Sequence, residues 1–187
     1  MTPLPPLPAC PYDGPAELRA RFERVRLFLC DVDGILTDGG VYMGQDPETK
    51  RFDIRDGFGL KLMQRQGIKV GWVSHRPSAA TAMRAEELRI DFVHQARASK
   101  VGAIEGILAE AGVGWEDIAY LGDDLVDLGA LRRAGLSVTV PDALVEVKAI
   151  VHYVTRAAAG RGAVREVAEL RLRAQDKWQS LVAEYSE

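Results

Sequence analysis

A three-layer α/β architecture, one parallel sheet with helices on both sides, is what the patterning of this 187-residue chain predicts. Three observations carry that expectation. Short apolar runs alternate with segments of helical spacing, the rhythm of right-handed strand–helix–strand crossovers. The runs are apolar at nearly every position rather than every second one, as in strands buried on both faces. And the residues that follow the runs are carboxylates, a hydroxyl and basic groups, which suits an open parallel sheet that binds ligands beyond the carboxyl ends of its strands.

Taken in order, residues 1–14, "MTPLPPLPACPYDG", read as a flexible polyproline-like leader. Residues 15–187 form a single domain, for which 47% hydrophobic composition supplies a core. "AELRARFERV" has helical spacing with leucine, phenylalanine and valine on one side. Strands are expected at "VRLFLC", "IKVGWVS" (68–74), "DFVH" (91–94), "DIAYLG" (117–122), "LSVTV" (136–140) and "HYVT" (152–155). Helices are expected at 57–66, 78–89, 99–111, 124–134 and, as one long element, from 163 to about 185. Residues 39–57 break the alternation. Two strand-like pieces, "VYM" and "KRFDI", flank a turn-rich centre and predict a small β-hairpin flap. Trp72 is expected in the core, Trp115 and Trp178 between helices, and Cys30 as a small buried hydrophobe.

Composition narrows the function classes. A net charge of -3 with interspersed signs offers no basic face for nucleic acid or an anionic membrane. No stretch has the pattern of a secretory signal or the roughly 18 apolar residues of a membrane span. The two cysteines, Cys10 and Cys30, suit neither a metal knuckle nor a disulfide framework, so a reducing cytoplasm is expected.

The chemistry gathers at the strand ends. Asp31 and Asp33 follow the first strand, Ser74, His75 and Arg76 the second; Lys100 opens a helix, and Asp123, Asp124 and Asp127 follow "DIAYLG". Two aspartates one residue apart at the end of a buried strand repel each other, so a positive charge is needed to keep both ionised, unless they form an exposed turn. Carboxylates with hydroxyl and ammonium donors make a hard oxygen site suited to Mg²⁺ and to a phosphoryl group. Asp31 is then placed to attack phosphorus, and Asp33 to protonate the leaving alkoxide and deprotonate water. Read alone, "GDD" is also a helix N-cap, Ser74 a cap and Lys100 a surface lysine.

"DVDGILTDG", "VSHR", Lys100 and "GDDLVD", in this order, resemble the four motifs of the haloacid dehalogenase superfamily of phosphohydrolases over roughly residues 25–170. With "IRDGFG" and "GRGAVREV", the likeness extends to the branch acting on 3-deoxy-octulosonate 8-phosphate and related acidic sugar phosphates. The resemblance implies a Rossmann-like core without a large cap domain. It also implies a homotetramer in which hairpin flaps and a neighbour's C-terminal segment close each site. It makes Asp31 the nucleophile and Asp33 the acid/base. Asp31, the Asp33 backbone carbonyl and Asp123 hold Mg²⁺, Ser74 and Lys100 hold the phosphoryl group, and Asp124 and Asp127 support them. His75 stands where relatives usually have glycine. Arg55, His75, Arg76 and Arg161 are candidate substrate contacts, since arginine binds a sugar carboxylate in bidentate fashion.

The leading expectation is therefore a Mg²⁺-dependent phosphatase of an acidic sugar phosphate, with nine-carbon ulosonate 9-phosphates as the alternative substrates. A phospho-accepting receiver domain lacks the "GDDxxD" set and the flap. A non-catalytic oligomerisation module would be expected to lose Asp31 or Asp33, and both are present.

Overall fold

The computed structural model describes residues 12–43 and 48–186. The apolar runs form β1 (Leu27–Cys30), β2 (Lys69–Ser74), β3 (Phe92–Gln95), β4 (Ile118–Leu121), β5 (Leu136–Thr139) and β6 (Tyr153–Val154). They pair in parallel in the order β3-β2-β1-β4-β5-β6. β1, β4 and β5 are buried at every position, which is why their sequences do not alternate. The chain winds outward from β1 in one direction and from β4 in the other, so the crevice between these two central strands is the topological switch point. The loops beyond them meet there, where the Asp31 N–H donates to the Leu121 carbonyl at 2.9 Å.

The helices are α1 (Ala16–Arg24), α2 (Ile54–Arg65), α3 (Ala79–Leu88), α4 (Lys100–Ala111), α5 (Leu128–Leu131), α6 (Val145–Lys148), α7 (Ala163–Ala174) and α8 (Trp178–Glu184). α2 packs on α7, which also meets α1, while α4 and α5 pack together against the other face of the sheet. Trp72, Tyr120, Phe22 and Phe28 fill the space between the layers, and Cys30 is buried among them. Each such large apolar side chain stabilises the fold by about 1.5–3 kcal/mol.

Several local features differ from the sequence expectation. α2 begins at Ile54 rather than Gly57, because the Asp53 carboxylate accepts the Arg55 N–H and caps it. The long last helix is interrupted. Asp176 takes a left-handed conformation with φ 55°, and α8 turns back to rest Leu181 against Leu62 and Leu172. Trp178 lies under the guanidinium groups of Arg165 and Arg173, at 5.2 and 4.8 Å from its ring centre. The helix expected at 124–134 shrinks to a 3₁₀ turn, Leu125–Asp127, followed by the single turn of α5. α6, four residues without a side-chain cap, carried no sequence signal.

In the flap region the described residues form one antiparallel bridge, between Tyr42 and Thr49, and residues 54–57 belong to α2. Its tip at 44–47, like residues 1–11 of the leader, lies outside the described residues. Of the rest of the leader, Tyr12 is buried and tilted against Phe22 at 6.2 Å between ring centres. Among the described residues no helix is long and apolar enough to cross a membrane.

Two long-range contacts fix the segment before α7. The buried Asp56 carboxylate on α2 accepts the Gly162 N–H at 3.2 Å and the Arg165 N–H at 2.7 Å, capping α7 from another helix. Burial pushes its pKa up to about 6, against the pull of those two amides. Gly160 then donates to the Ile35 carbonyl at 2.8 Å, seating the segment on the loop that follows β1. Gly160 has φ +60°, and a Cβ there would stand 2.6 Å from the Asp38 nitrogen and the Thr37 carbonyl carbon. Gly160→Ala should therefore lose about 1–3 kcal/mol of stability. Gly106→Ala, in the exposed middle of α4 with nothing within 4 Å of a new Cβ, should gain about 0.5–1 kcal/mol. Urea midpoints of the two variants, moving in opposite directions from the parent, check this pair.

Candidate active site

β1 carries the chain through the middle of the sheet and releases it at Asp31, on the floor of the crevice. The Asp31 carboxylate accepts the Val32 N–H at 2.6 Å with one oxygen and faces Lys100 Nζ at 2.7 Å with the other. Lys100 opens α4 and is buried, and the same ammonium bonds Asp127 Oδ1 at 2.7 Å. Asp127 ends the 3₁₀ turn after β4 and is fully buried. It also accepts the Tyr120 hydroxyl at 2.6 Å and the N–H groups of Asp123 and Asp124 at 3.1 and 3.2 Å. These bonds turn the chain too tightly for an α-helix, which is why the element expected at 124–134 is short. Asp124 caps the turn by accepting the Leu125 N–H at 2.6 Å.

Asp123 is different. Its Oδ1 is buried and has no hydrogen-bond donor. Opposite it the loop after β1 comes in at Gly34, φ +83°, where a Cβ would lie 2.2 Å from Asp123 Oδ2. Only glycine lets that backbone approach the carboxylate so closely. One oxygen each from Asp31, Asp123 and Asp127 lie within 4.8 Å of one another.

The electrostatics follow from this crowding. Burial, then Asp127, push the Asp31 carboxyl up to about 6 despite Lys100. Burial, then Asp127 and Asp31, push Asp123 up to about 7. For Lys100, burial works against its charge, but Asp127 and Asp31 outweigh it and the pKa is raised. One ammonium among three carboxylates leaves the crevice short of positive charge. A hard divalent cation fits that deficit, the all-oxygen donor set and the unpartnered Asp123 oxygen. Asp127 already accepts from four donors, which leaves Asp31 and Asp123 as the carboxylates with room for a cation.

Ser74 ends β2 and is buried. Its hydroxyl bonds the Arg76 N–H and carbonyl at 3.2 and 3.0 Å, holding its own loop. His75 is exposed and, with Arg97, Ser99, Lys100 and Val126, lines an open cavity of about 430 Å³. Arg76 pairs with Glu48. Arg55 pairs with Asp53 at 3.0 Å and donates to the Arg161 carbonyl at 3.0 Å. The Arg161 residue itself is exposed. Thus Asp31, Lys100, Asp123 and Asp127 converge, Asp124 serves the turn, and two of the candidate substrate arginines already hold carboxylates of their own chain.

Sequence reasoning missed Tyr120, Gly34, Glu48 and Lys50. Tyr120 read as one more apolar strand residue, and Gly34 as turn punctuation. Lys50 Nζ lies 2.7 Å from an Asp33 oxygen with its side chain wholly buried, and a lysine in "ETKRF" gives no sign of that.

Comparison with known proteins agrees with this geometry. The family model for haloacid dehalogenase-like hydrolases matches residues 74–167. The 3-deoxy-D-manno-octulosonate 8-phosphate phosphatase of Yersinia pestis is 42% identical over 158 residues, 84% of each chain. The crystal structure of the phosphatase of that name from Moraxella catarrhalis, in complex with a magnesium ion, a phosphate ion and a KDO molecule, superposes with a TM-score of 0.88. It is 38% identical, covering 90% of this chain and 98% of its own. A cobalt-bound deoxy-D-mannose-octulosonate 8-phosphate phosphatase from Haemophilus influenzae, 36% identical, gives a TM-score of 0.82 over 84% of this chain and 93% of its own.

If Lys100 is what makes the acidic crevice tolerable, Lys100→Met should cost about 3–5 kcal/mol of stability, the range for breaking a buried ion pair. Without the ammonium, which now pulls it down, the folded-state pKa of Asp31 rises further. The deficit is then full at pH 8 and shrinks as pH falls and the carboxylates take up protons. Denaturant midpoints at pH 5 and pH 8, with chelator present, check both size and sign.

Proposed function

The chain belongs to the haloacid dehalogenase-like hydrolases and is a phosphatase, and from that premise we propose that it hydrolyses 3-deoxy-D-manno-octulosonate 8-phosphate through an aspartyl-phosphate on Asp31. The observation that carries the mechanism is the buried Asp31 carboxylate at the end of the central strand, facing Lys100 across 2.7 Å. The names of the relatives support the substrate.

In this reading an Asp31 oxygen attacks phosphorus while Lys100, held by Asp127, neutralises a phosphoryl oxygen. Ser74 turns its hydroxyl from the Arg76 backbone to a second phosphoryl oxygen. Asp33 gives a proton to the departing sugar alkoxide, then takes one from the water that cleaves the acyl phosphate. Asp31, Asp123 and the Asp33 backbone carbonyl would hold Mg²⁺, which when bound supplies charge neutralisation for the carboxylates and the transferring group. Asp124 and Asp127 support that arrangement through the turn after β4.

For the rest of the substrate, Arg55 and Arg161 lie next to each other near the start of α7 and form the cationic rim for a sugar carboxylate. Arg76 would have to leave Glu48 to join them, and His75 borders the cavity beside Lys100. The working form is a homotetramer in the cytoplasm, a single phosphatase domain at 15–187 whose open crevice is closed by the flap and a neighbouring subunit. Its partner is this small acidic sugar phosphate rather than nucleic acid or membrane.

Asp31→Asn should abolish phosphate release from 3-deoxy-D-manno-octulosonate 8-phosphate while keeping the fold. Asp33→Asn should lower kcat by about 10² to 10⁴. Exhaustive chelation should stop turnover, Mg²⁺ should restore it, and Ca²⁺ should bind without restoring it, because its larger and looser shell misplaces the phosphoryl group. Phosphate release by either variant near the parent rate, or full activity after chelation, would overturn the assignment.

A further inference from the structure

We infer that Lys50 is a positioning residue for Asp33, so that the returning limb of the flap sets the acid/base for the reaction; this rests on the reading of Asp33 as the acid/base proposed above. Asp33 lies in the turn beyond β1 with about a quarter of its side chain exposed, 26%, and a short carboxylate in such a place has several rotamers open to it. Lys50 removes that freedom. Its Nζ is out of reach of solvent, since the side chain is 0% exposed, and it lies 2.7 Å from Asp33 Oδ1 and 3.0 Å from Oδ2. Oδ2 takes the hydrogen bond. Oδ1 is buried without an aligned donor, and the ammonium beside both oxygens holds the carboxylate in one orientation.

The ammonium is itself fixed from two sides. It donates to the buried Thr81 hydroxyl on α3 at 3.2 Å, and Glu48 Oε1 stands 3.9 Å away. Glu48 in turn pairs with Arg76 in the loop after β2. Burying a lysine costs several kcal/mol unless its charge is paired and its protons are bonded. The pairing with Asp33 and Thr81 is what makes that burial stable, and it ties residues 48–50 to the two loops that flank Asp31. Among the described residues no other side chain donates to the Asp33 carboxylate.

The test separates an acid/base role from a structural one by the leaving group. An alkoxide needs Asp33's proton, whereas a phenolate such as that of para-nitrophenyl phosphate departs without it. Lys50→Met should lower kcat for 3-deoxy-D-manno-octulosonate 8-phosphate by about tenfold or more, up to the range of losing the acid itself. For para-nitrophenyl phosphate the pre-steady-state burst of nitrophenolate, which reports phosphoryl transfer to Asp31 before the water step that still needs Asp33, should slow by no more than about twofold. Lys50→Arg, which keeps the charge, should recover part of the sugar-phosphate rate. Thr81→Val, which keeps Lys50 but frees its ammonium on one side, should show the same selective pattern at smaller size, and it serves if Lys50→Met does not fold. A nitrophenolate burst that slows as much as sugar-phosphate turnover, or no loss in either, would overturn the inference. A parent enzyme that releases phosphate from para-nitrophenyl phosphate but not from the sugar phosphate would instead count against the substrate, and Lys50 would then be judged with another alkyl phosphate.

Discussion

The site depends on one arrangement of charge: Lys100 held between Asp31 and Asp127 at 2.7 Å from each, with all three buried. Removing a carboxylate from water costs several kcal/mol, and a single ammonium cannot offset two of them, let alone Asp123 as well. The geometry handles the excess in two ways. Asp127 is satisfied outright, by Lys100, the Tyr120 hydroxyl and two backbone amides. Asp31 and Asp123 are left with raised pKa values near 6 and 7, the mark of carboxylates that are ionised readily only when further positive charge arrives. A divalent cation and a phosphoryl group would satisfy complementary parts of that arrangement.

The scaffold explains why these groups can be so close. β1 and β4 are adjacent and parallel, and their loops leave the sheet side by side at the switch point. Gly34 lets the first loop press against Asp123, and Gly160 lets the segment before α7 press against the continuation of that loop at Thr37 and Asp38. Asp56 secures the same segment from α2. The floor of the crevice is therefore built from buried strands and the ends of buried helices, while the surrounding pieces, Arg55, His75 and Arg161, are exposed. Such a division suits a site whose chemistry is fixed and whose substrate contacts complete on binding or assembly.

Much of this was legible in the sequence because burial on both faces leaves an unmistakable apolar run, and the polar residue after each run is then placed by topology. Asp31, Lys100, Asp123 and Asp127 come together as that reasoning expects. What escaped it depended on contacts between residues far apart in the chain. The last helix breaks at Asp176 because α8 finds a separate apolar cluster, which no local spacing reveals. The helix after β4 is cut short because Asp127 bonds backward to its own turn. Lys50 opens a piece whose pattern suggested a strand and Glu48 lies in the turn-rich stretch before it, and only packing against Asp33 and Thr81 makes the lysine a buried group. Arg76, suited by type to a substrate carboxylate, meets Glu48 of its own chain.

The central claim is that Asp31 becomes covalently phosphorylated, and acid quenching of the enzyme during turnover tests it most directly, followed by peptide mapping for the phosphoryl group. The account predicts a transient acyl phosphate on the peptide carrying Asp31, absent from Asp31→Asn and accumulating in Asp33→Asn with an activated phosphate ester, where water is no longer deprotonated. Phosphate found on Ser74 or another residue, or steady turnover with no phosphorylated peptide at any quench time, would contradict it.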